Sequence, residues 1–149
     1  MHEEPPPRTP DRLKDRPTWL LGRAAARASA LLASGFSAHG EGLRGYHYRL
    51  LAALDQWGPA SQADLGRDTG IDRSDVTAVL GELEERGLVT REVDPHHRRR
   101  KIVSITASGA ATLRRLDTVL DDIQQELLAP LSATQRKQFA TIMARLADQ

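Results

Sequence analysis

The 149-residue chain contains no cysteine. That absence excludes disulfides, thiolate zinc sites and thiol-based redox sensing, and it fits a reducing, cytoplasmic setting. Aromatic residues make up only 4% of the sequence, so the apolar surface has to come from aliphatic side chains, chiefly Ala and Leu, which favour helices. No apolar run reaches transmembrane length, and no membrane contact is expected. The N-terminus offers Glu3, Glu4 and the run Pro5-Pro6-Pro7, not a basic segment followed by an apolar one, so it does not read as a signal peptide. Charge of one sign is also lacking: 21 basic residues against 20 acidic ones leave a net charge of +1, and any case for nucleic acid must rest on where the basic residues sit. Phosphate-cradling glycine loops and zinc-protease motifs are missing, and nothing in the sequence gathers Ser, His and Asp into one place. Neither catalysis nor a cofactor is expected.

What is present is a helical pattern interrupted once. Residues 1–16 read as a disordered polar arm. Trp19 to Leu32 is helical, with Gly35, Gly40 and Gly42 expected to break it. A second helix runs from about Leu43 to Gln56, with Leu43, Tyr46, Leu50 and Leu54 at helical spacing. Ser61 is placed to cap a short helix, Asp64 three residues on resembles a capping box, and Thr69-Gly70 closes it. Asp72 is placed to cap the next helix, whose apolar stripe is Val76, Val79, Leu80 and Leu83 and whose stop is Gly87. The period then changes. Leu88 to Val93 and Ile102 to Thr106 read as strands joined at Asp94-Pro95, with the basic stretch His96–Lys101 as a charged tip. Thr106 caps a long helix reaching about Ala129, with Leu113, Leu116, Leu120, Ile123 and Leu127 on one face and Asp117, Asp121, Asp122 and Glu126 on the other. Ser132 caps a last helix carrying Phe139, Ile142, Met143 and Leu146.

The order helix, tight turn, helix, β-hairpin is that of a winged helix-turn-helix. The expected fold is therefore mainly α with a small β-hairpin wing, a winged helix-turn-helix plus a helical dimerisation region. The division is residues 17–56 for N-terminal dimerisation and support helices, 57–106 for the DNA-binding domain, and 107–149 for C-terminal dimerisation helices. In such a unit the second helix presents its first residues to base edges in the major groove. Here those are Arg73, Ser74, Asp75 and Thr77, which would also serve as the ordinary solvated face of a surface helix. Arg73 suits guanine O6/N7 or a phosphate, Asp75 suits cytosine N4, and Ser74 and Thr77 suit either base or phosphate. The run Arg98-Arg99-Arg100-Lys101 tips the balance. Four adjacent like charges in a nearly neutral protein repel one another and make better sense facing an anion, and a hairpin can carry Arg into a minor groove.

Three segments now bear a family resemblance. Leu83-Glu84-Glu85-Arg86-Gly87-Leu88-Val89, then Asp94-Pro95 with Arg98-Arg99, then Val103-Ser104-Ile105-Thr106-Ala107-Ser108-Gly109 resemble the MarR family of multiple-antibiotic-resistance regulators. Ser61-Gln62-Ala63-Asp64-Leu65 and Ser74-Asp75-Val76-Thr77 match its reading head, and the likeness covers roughly residues 17–147. The resemblance implies a homodimer in which the terminal helices interlock, and a double-stranded, pseudo-palindromic DNA operator, usually repressed. It often implies release by a small aromatic or phenolic effector. It assigns Arg99 to the minor groove, Arg98 to bracing the wing against Asp94, and Gln62 to a phosphate. One position departs from the family: His97 stands where Asp is usual, which leaves Asp94 to hold the wing alone or the wing looser.

An effector site is less legible. Trp19, Tyr46 and His47 are the candidate lining residues, with His39 and Trp57 beside them, and the aromatic ones would serve equally as core or dimer-seam residues. His39 and His47 are separated by a glycine-rich break, so no metal site is expected. A rival reading uses the wing for protein contact, with the acidic face from Asp117 to Glu126 meeting a basic partner.

Overall fold

The computed structural model describes residues 4–148. Residues 1–3 of the expected arm and residue 149 lie outside the described residues. The elements run α1 (Asp11–Lys14), α2 (Pro17–His39), α3 (Gly45–Trp57), β1 (Ala60–Ser61), α4 (Gln62–Thr69), α5 (Arg73–Glu85), β2 (Val89–Asp94), β3 (His97–Ile105), α6 (Ala107–Leu128) and α7 (Ala133–Ala147). The three strands form one antiparallel sheet in the order β1-β3-β2. The result is mainly α with a β wing, as the sequence pattern predicts.

Several elements differ from that pattern. The arm is not wholly irregular, because α1 forms one exposed turn within it. Gly35 does not break α2. A lone glycine costs a helix about 1 kcal/mol, and here it permits close packing, since a Cβ on Gly35 would fall 2.5 Å from Ile123 Cδ1 of α6. Strand β3 begins at His97, not Ile102, so the basic run belongs to the strand and the hairpin turn is only Pro95-His96. The two-residue β1 carries no pattern long enough to read, and it forms because Ala60 and Ser61 lie against Val103 and Ile102.

The core sits where the reading-head elements meet. Leu50, Leu51 and Leu54 of α3, Leu65 of α4, Val76, Leu80 and Leu83 of α5, Val89 of β2, Val103 of β3 and Leu116 of α6 are all buried in one cluster. Each fully buried aliphatic side chain contributes about 1.5–3 kcal/mol relative to exposure. The long terminal helices are fastened to one another differently. Arg27 of α2 donates to the Leu127 and Glu126 carbonyls at 3.0 and 3.3 Å, placing a cation on the carbonyl-rich end of α6. Tyr48 of α3 donates to Asp117 of α6 at 2.7 Å. That hydrogen bond, followed by burial and the Asp117 charge, holds the phenol proton, and the Tyr48 pKa is pushed up to about 12.

The Thr106-x-x-Gly109 motif has a steric reason. Thr106 Oγ1 accepts from Gly109 N at 3.0 Å as the cap of α6 and donates to the Gly87 carbonyl at 2.7 Å. Thr106 N donates to the Leu88 carbonyl at 3.0 Å. A side chain at position 109 would collide with that same Leu88 carbonyl. The motif thus joins the end of α5, the start of β2 and the start of α6 at one point.

Candidate nucleic-acid interface

The reading head is assembled by one side-chain cap and one glycine turn. Ser61 Oγ accepts from Asp64 N at 3.2 Å and starts α4. The reciprocal half of a capping box is not made through the Asp64 side chain, which instead accepts from Arg67 at 2.6 Å. That guanidinium, followed by Ser61, holds the Asp64 carboxyl below its ordinary range. Gly70, at φ +68°, supplies the left-handed residue that ends α4 and turns the chain toward α5. Asp72 occupies the N-cap of α5, but its side chain makes no capping hydrogen bond, contrary to the sequence expectation. Its extended backbone alone marks the boundary.

Helix α5 buries Val76, Val79, Leu80 and Leu83 as predicted, and Arg73, Ser74, Asp75 and Thr77 are all exposed. They do not share one flank. Arg73 and Thr77, four residues apart, face the wing across a cleft of about 540 Å³, whose walls include Gln62, Arg91, Arg99, Arg100 and Lys101. Asp75 lies on the opposite flank with Ala78, Val79 and Glu82, where it lines a separate cavity. Between these flanks the helix carries the small residues Ser74 and Gly81, which line neither cavity.

The wing concentrates its charge at a bulge. The pairs Asp94↔His97 and Val93↔Lys101 are consecutive on β2 but four residues apart on β3, so Arg98, Arg99 and Arg100 face no residue of β2. Asp94 is nearly buried and holds the turn twice: Oδ1 accepts from His96 N at 2.9 Å, and Oδ2 lies 3.5 Å from Arg100 Nε. The residue bracing the wing against Asp94 is therefore Arg100 and not Arg98. The spacing of a regular strand favours neither, because the bulge resets which arginine points back. His97 is exposed and takes no part in this contact.

Sequence reasoning missed Arg91. Its guanidinium, only 18% exposed, meets Glu84 of α5 through both Nε and Nη2 at 3.2 Å and donates from Nη1 to Gln62 Oε1 at 3.3 Å. Gln62 Nε2 in turn donates to Thr77 Oγ1 at 3.3 Å. The Arg91 ion pair holds the Glu84 carboxyl below its ordinary range. Outside the Arg98–Lys101 run, a single Arg in a strand carries no signal by itself.

The second cavity, about 770 Å³, lies between α2, α3 and the other flank of α5. Tyr46 and His47 line it with Phe36, Arg44 and Arg49, whereas Trp19, His39 and Trp57 do not. Trp57 is 64% exposed at the end of α3, and Trp19 sits on the far end of α2. Arg49 stacks over the Tyr46 ring at 5.6 Å. His47 is buried and fully committed: Nδ1 accepts from Arg44 N at 2.9 Å, so Nε2 carries the proton and donates to Glu82 at 2.6 Å. That bond holds the Glu82 carboxyl below its ordinary range. Among the described residues no group of His, Asp and Glu is arranged to hold a metal ion, and no helix is long and apolar enough to cross a membrane.

Comparison with known proteins agrees with this geometry. The MarR family model matches residues 41–100, which include the α3 and α5 walls of the cavity, the reading head and most of the wing. The HTH-type transcriptional repressor NicR of Pseudomonas putida is 29% identical over 140 residues, covering 94% of this chain and 87% of its own. A probable transcriptional regulator from Pseudomonas aeruginosa superposes with a TM-score of 0.79 at 36% identity, covering 91% of this chain and 99% of its own. Bordetella bronchiseptica BpsR, whose DNA binding is regulated by 6-hydroxynicotinic acid, superposes with a TM-score of 0.80 at 25% identity, covering 95% and 99%. With the winged reading head, the family match and these full-length likenesses in agreement, the chain belongs to the MarR family of transcriptional regulators.

Proposed function

We propose that this regulator is a repressor that binds a pseudo-palindromic operator as a homodimer and releases it when a small aromatic acid fills the α2–α3–α5 cavity. The observation that carries the reading is the cleft in which Arg73 and Thr77 of α5 face Arg99, Arg100 and Lys101 of the wing. A near-neutral protein that gathers its cations around a helix of groove-fitting shape has built an anion-binding surface with a reader at its centre. In this reading Ser74 and Thr77 address base edges, with Arg73 at a base or phosphate and Asp75 at the cavity-side edge of the contact. Gln62 and Lys101 serve the backbone, Arg99 enters the minor groove, Arg100 holds the wing, and Arg98 adds charge at its tip. Two such heads lie about one helical turn of DNA apart, roughly 34–36 Å.

The homodimer is supported by apolar side chains left uncovered on both terminal helices. Leu20, Leu21 and Leu32 on α2 and Phe139, Ile142 and Leu146 on α7 are exposed, and α7 buries no residue at all among those described. Residues 17–56 and 107–149 thus act as the dimerisation parts around a DNA-binding domain at 57–106. The effector reading is supported by a cavity of ligand size that offers aromatic walls from Phe36 and Tyr46 and cations from Arg44 and Arg49. Its remaining wall is α5 itself.

The test is fluorescence anisotropy with duplex from upstream of the regulator's own gene, scrambled duplex as control, salt as one titrant and 6-hydroxynicotinic acid as another. Preference for the native duplex with a steep loss of affinity as salt rises is expected. Equal, weak binding to both duplexes would overturn the operator, and unchanged affinity at saturating acid would remove that compound as effector.

A further inference from the structure

We infer that Arg91 is a positioning residue for DNA binding: an internal strut that fixes the wing to the reading helix through Glu84 and Gln62, and not a phosphate contact. The inference rests on the operator reading above. The cations around the cleft are of two kinds. Among the described residues Arg73, Arg99 and Lys101 make no ion pair within 4 Å, although Lys101 lies near enough to Glu84 to feel its charge, and Arg100 shares Asp94 at 3.5 Å. Arg91 differs from all of them. It is mostly buried, and three of its guanidinium hydrogen bonds are already spent, two on Glu84 and one on Gln62.

Arg91 and its two partners belong to three separate elements. Glu84 lies on the last turn of α5, Gln62 on the first turn of α4, and Arg91 itself in the middle of β2. Gln62 continues the chain to Thr77, and Thr77 Oγ1 also donates to the Arg73 carbonyl at 3.1 Å. The cleft floor is thus one hydrogen-bonded line from the wing to the base-facing side of α5. Without it, the outer hairpin would be held to the helices chiefly by the apolar residues at its root, Val89 and Val103. Fixing several groups before DNA arrives removes an ordering cost from the binding step.

The sign of one substitution separates the two roles. Glu84 is an acid beside a phosphate-binding cleft, so Coulomb's law alone predicts that removing its charge tightens DNA binding. A strut predicts the opposite. For Glu84→Gln and Arg91→Met, native-duplex affinity should each fall about tenfold, the ratio that a coupling of about 1.4 kcal/mol produces. The double variant should bind no more weakly than Arg91→Met alone. The salt slope should stay at the wild-type value. In the DNA-free protein, amide exchange in β2 and β3 should quicken in both single variants, a readout that does not depend on DNA.

Unchanged or tighter binding by Glu84→Gln overturns the strut, as does a salt slope reduced in Arg91→Met by about 0.9, the loss of one phosphate contact. Glu84→Gln changes a half-exposed side chain and keeps its shape, so the test survives if Arg91→Met folds poorly. Wild-type protein that binds no duplex would overturn the operator reading itself, an outcome distinct from wild type that binds while Glu84→Gln is unaffected.

Discussion

The centre of the chain and its two ends are built on opposite terms. From α3 through β3 most large apolar side chains are buried within the same chain, Tyr46, Trp57 and Val93 being exposed, and the polar groups of the reading head are tied to one another. On the terminal helices the apolar side chains are left over. Helix α2 is 23 residues long and buries only Phe36, while α7 is 15 residues long and buries none. A helix stays folded in water mainly by packing an apolar face, and the apolar face of α7 is uncovered within the chain, as the proposed dimer seam requires.

That contrast can be broken from either side. The largest effect is expected in the centre: Leu80→Ala, at a fully buried site, should cost about 2–5 kcal/mol in urea unfolding. If it costs under about 1 kcal/mol, the centre is not close-packed. Next come the ends. Ile142→Glu should shift the protein from dimer to monomer in analytical ultracentrifugation, with a penalty of more than about 2 kcal/mol if this residue is a seam hot spot. A sedimentation coefficient unchanged from wild type would show that α7 is not the seam. Arg99→Ala leaves both regions folded and should weaken operator binding by about 1–3 kcal/mol. Full affinity in that variant would take the wing out of the interface.

The smallest effect lies at the joint between the two regions. Tyr48→Phe removes the hydrogen bond from α3 to Asp117 of α6 and should cost about 1 kcal/mol at neutral pH. Its pH dependence has a definite sign. The folded-state pKa of Tyr48 is raised from 10.0 to about 12, so its contribution is complete below pH 10 and is lost as pH climbs through about 12. Wild type should therefore destabilise over that window and Tyr48→Phe should lack the same slope. Parallel curves would mean that the phenol proton is not held by Asp117.

The same contrast governs what was legible in the sequence. Local signals survived: Ser61, Thr106 and Ser132 cap their helices, and the stripe Val76, Val79, Leu80, Leu83 is buried. Period and capping depend on near neighbours, which a sequence displays. Features that depend on a distant surface did not survive. Gly35 reads as a breaker until Ile123 is beside it. The bulge that turns Arg100 toward Asp94 in place of Arg98 exists only in the register of two strands. Tyr46 and His47 reach the cavity because α3 is clamped to α5, whereas Trp19, grouped with them by composition, lies at the other end of a 23-residue helix. For the candidate DNA-facing residues, the sequence named the exposed ones on α5 but not their division between two flanks.

That division has a consequence for how such a protein can diverge. Helix α5 is a party wall: Arg73 and Thr77 look out on one side, and Asp75, Val79 and Glu82 look into a chamber on the other. The two populations alternate within the same few turns, so neither can be rewritten without disturbing the backbone that carries its neighbour. If the chamber takes an effector and the outer flank reads DNA, as proposed above, a change that refits one side is made on the same few turns that carry the other, and the two preferences would be inherited together.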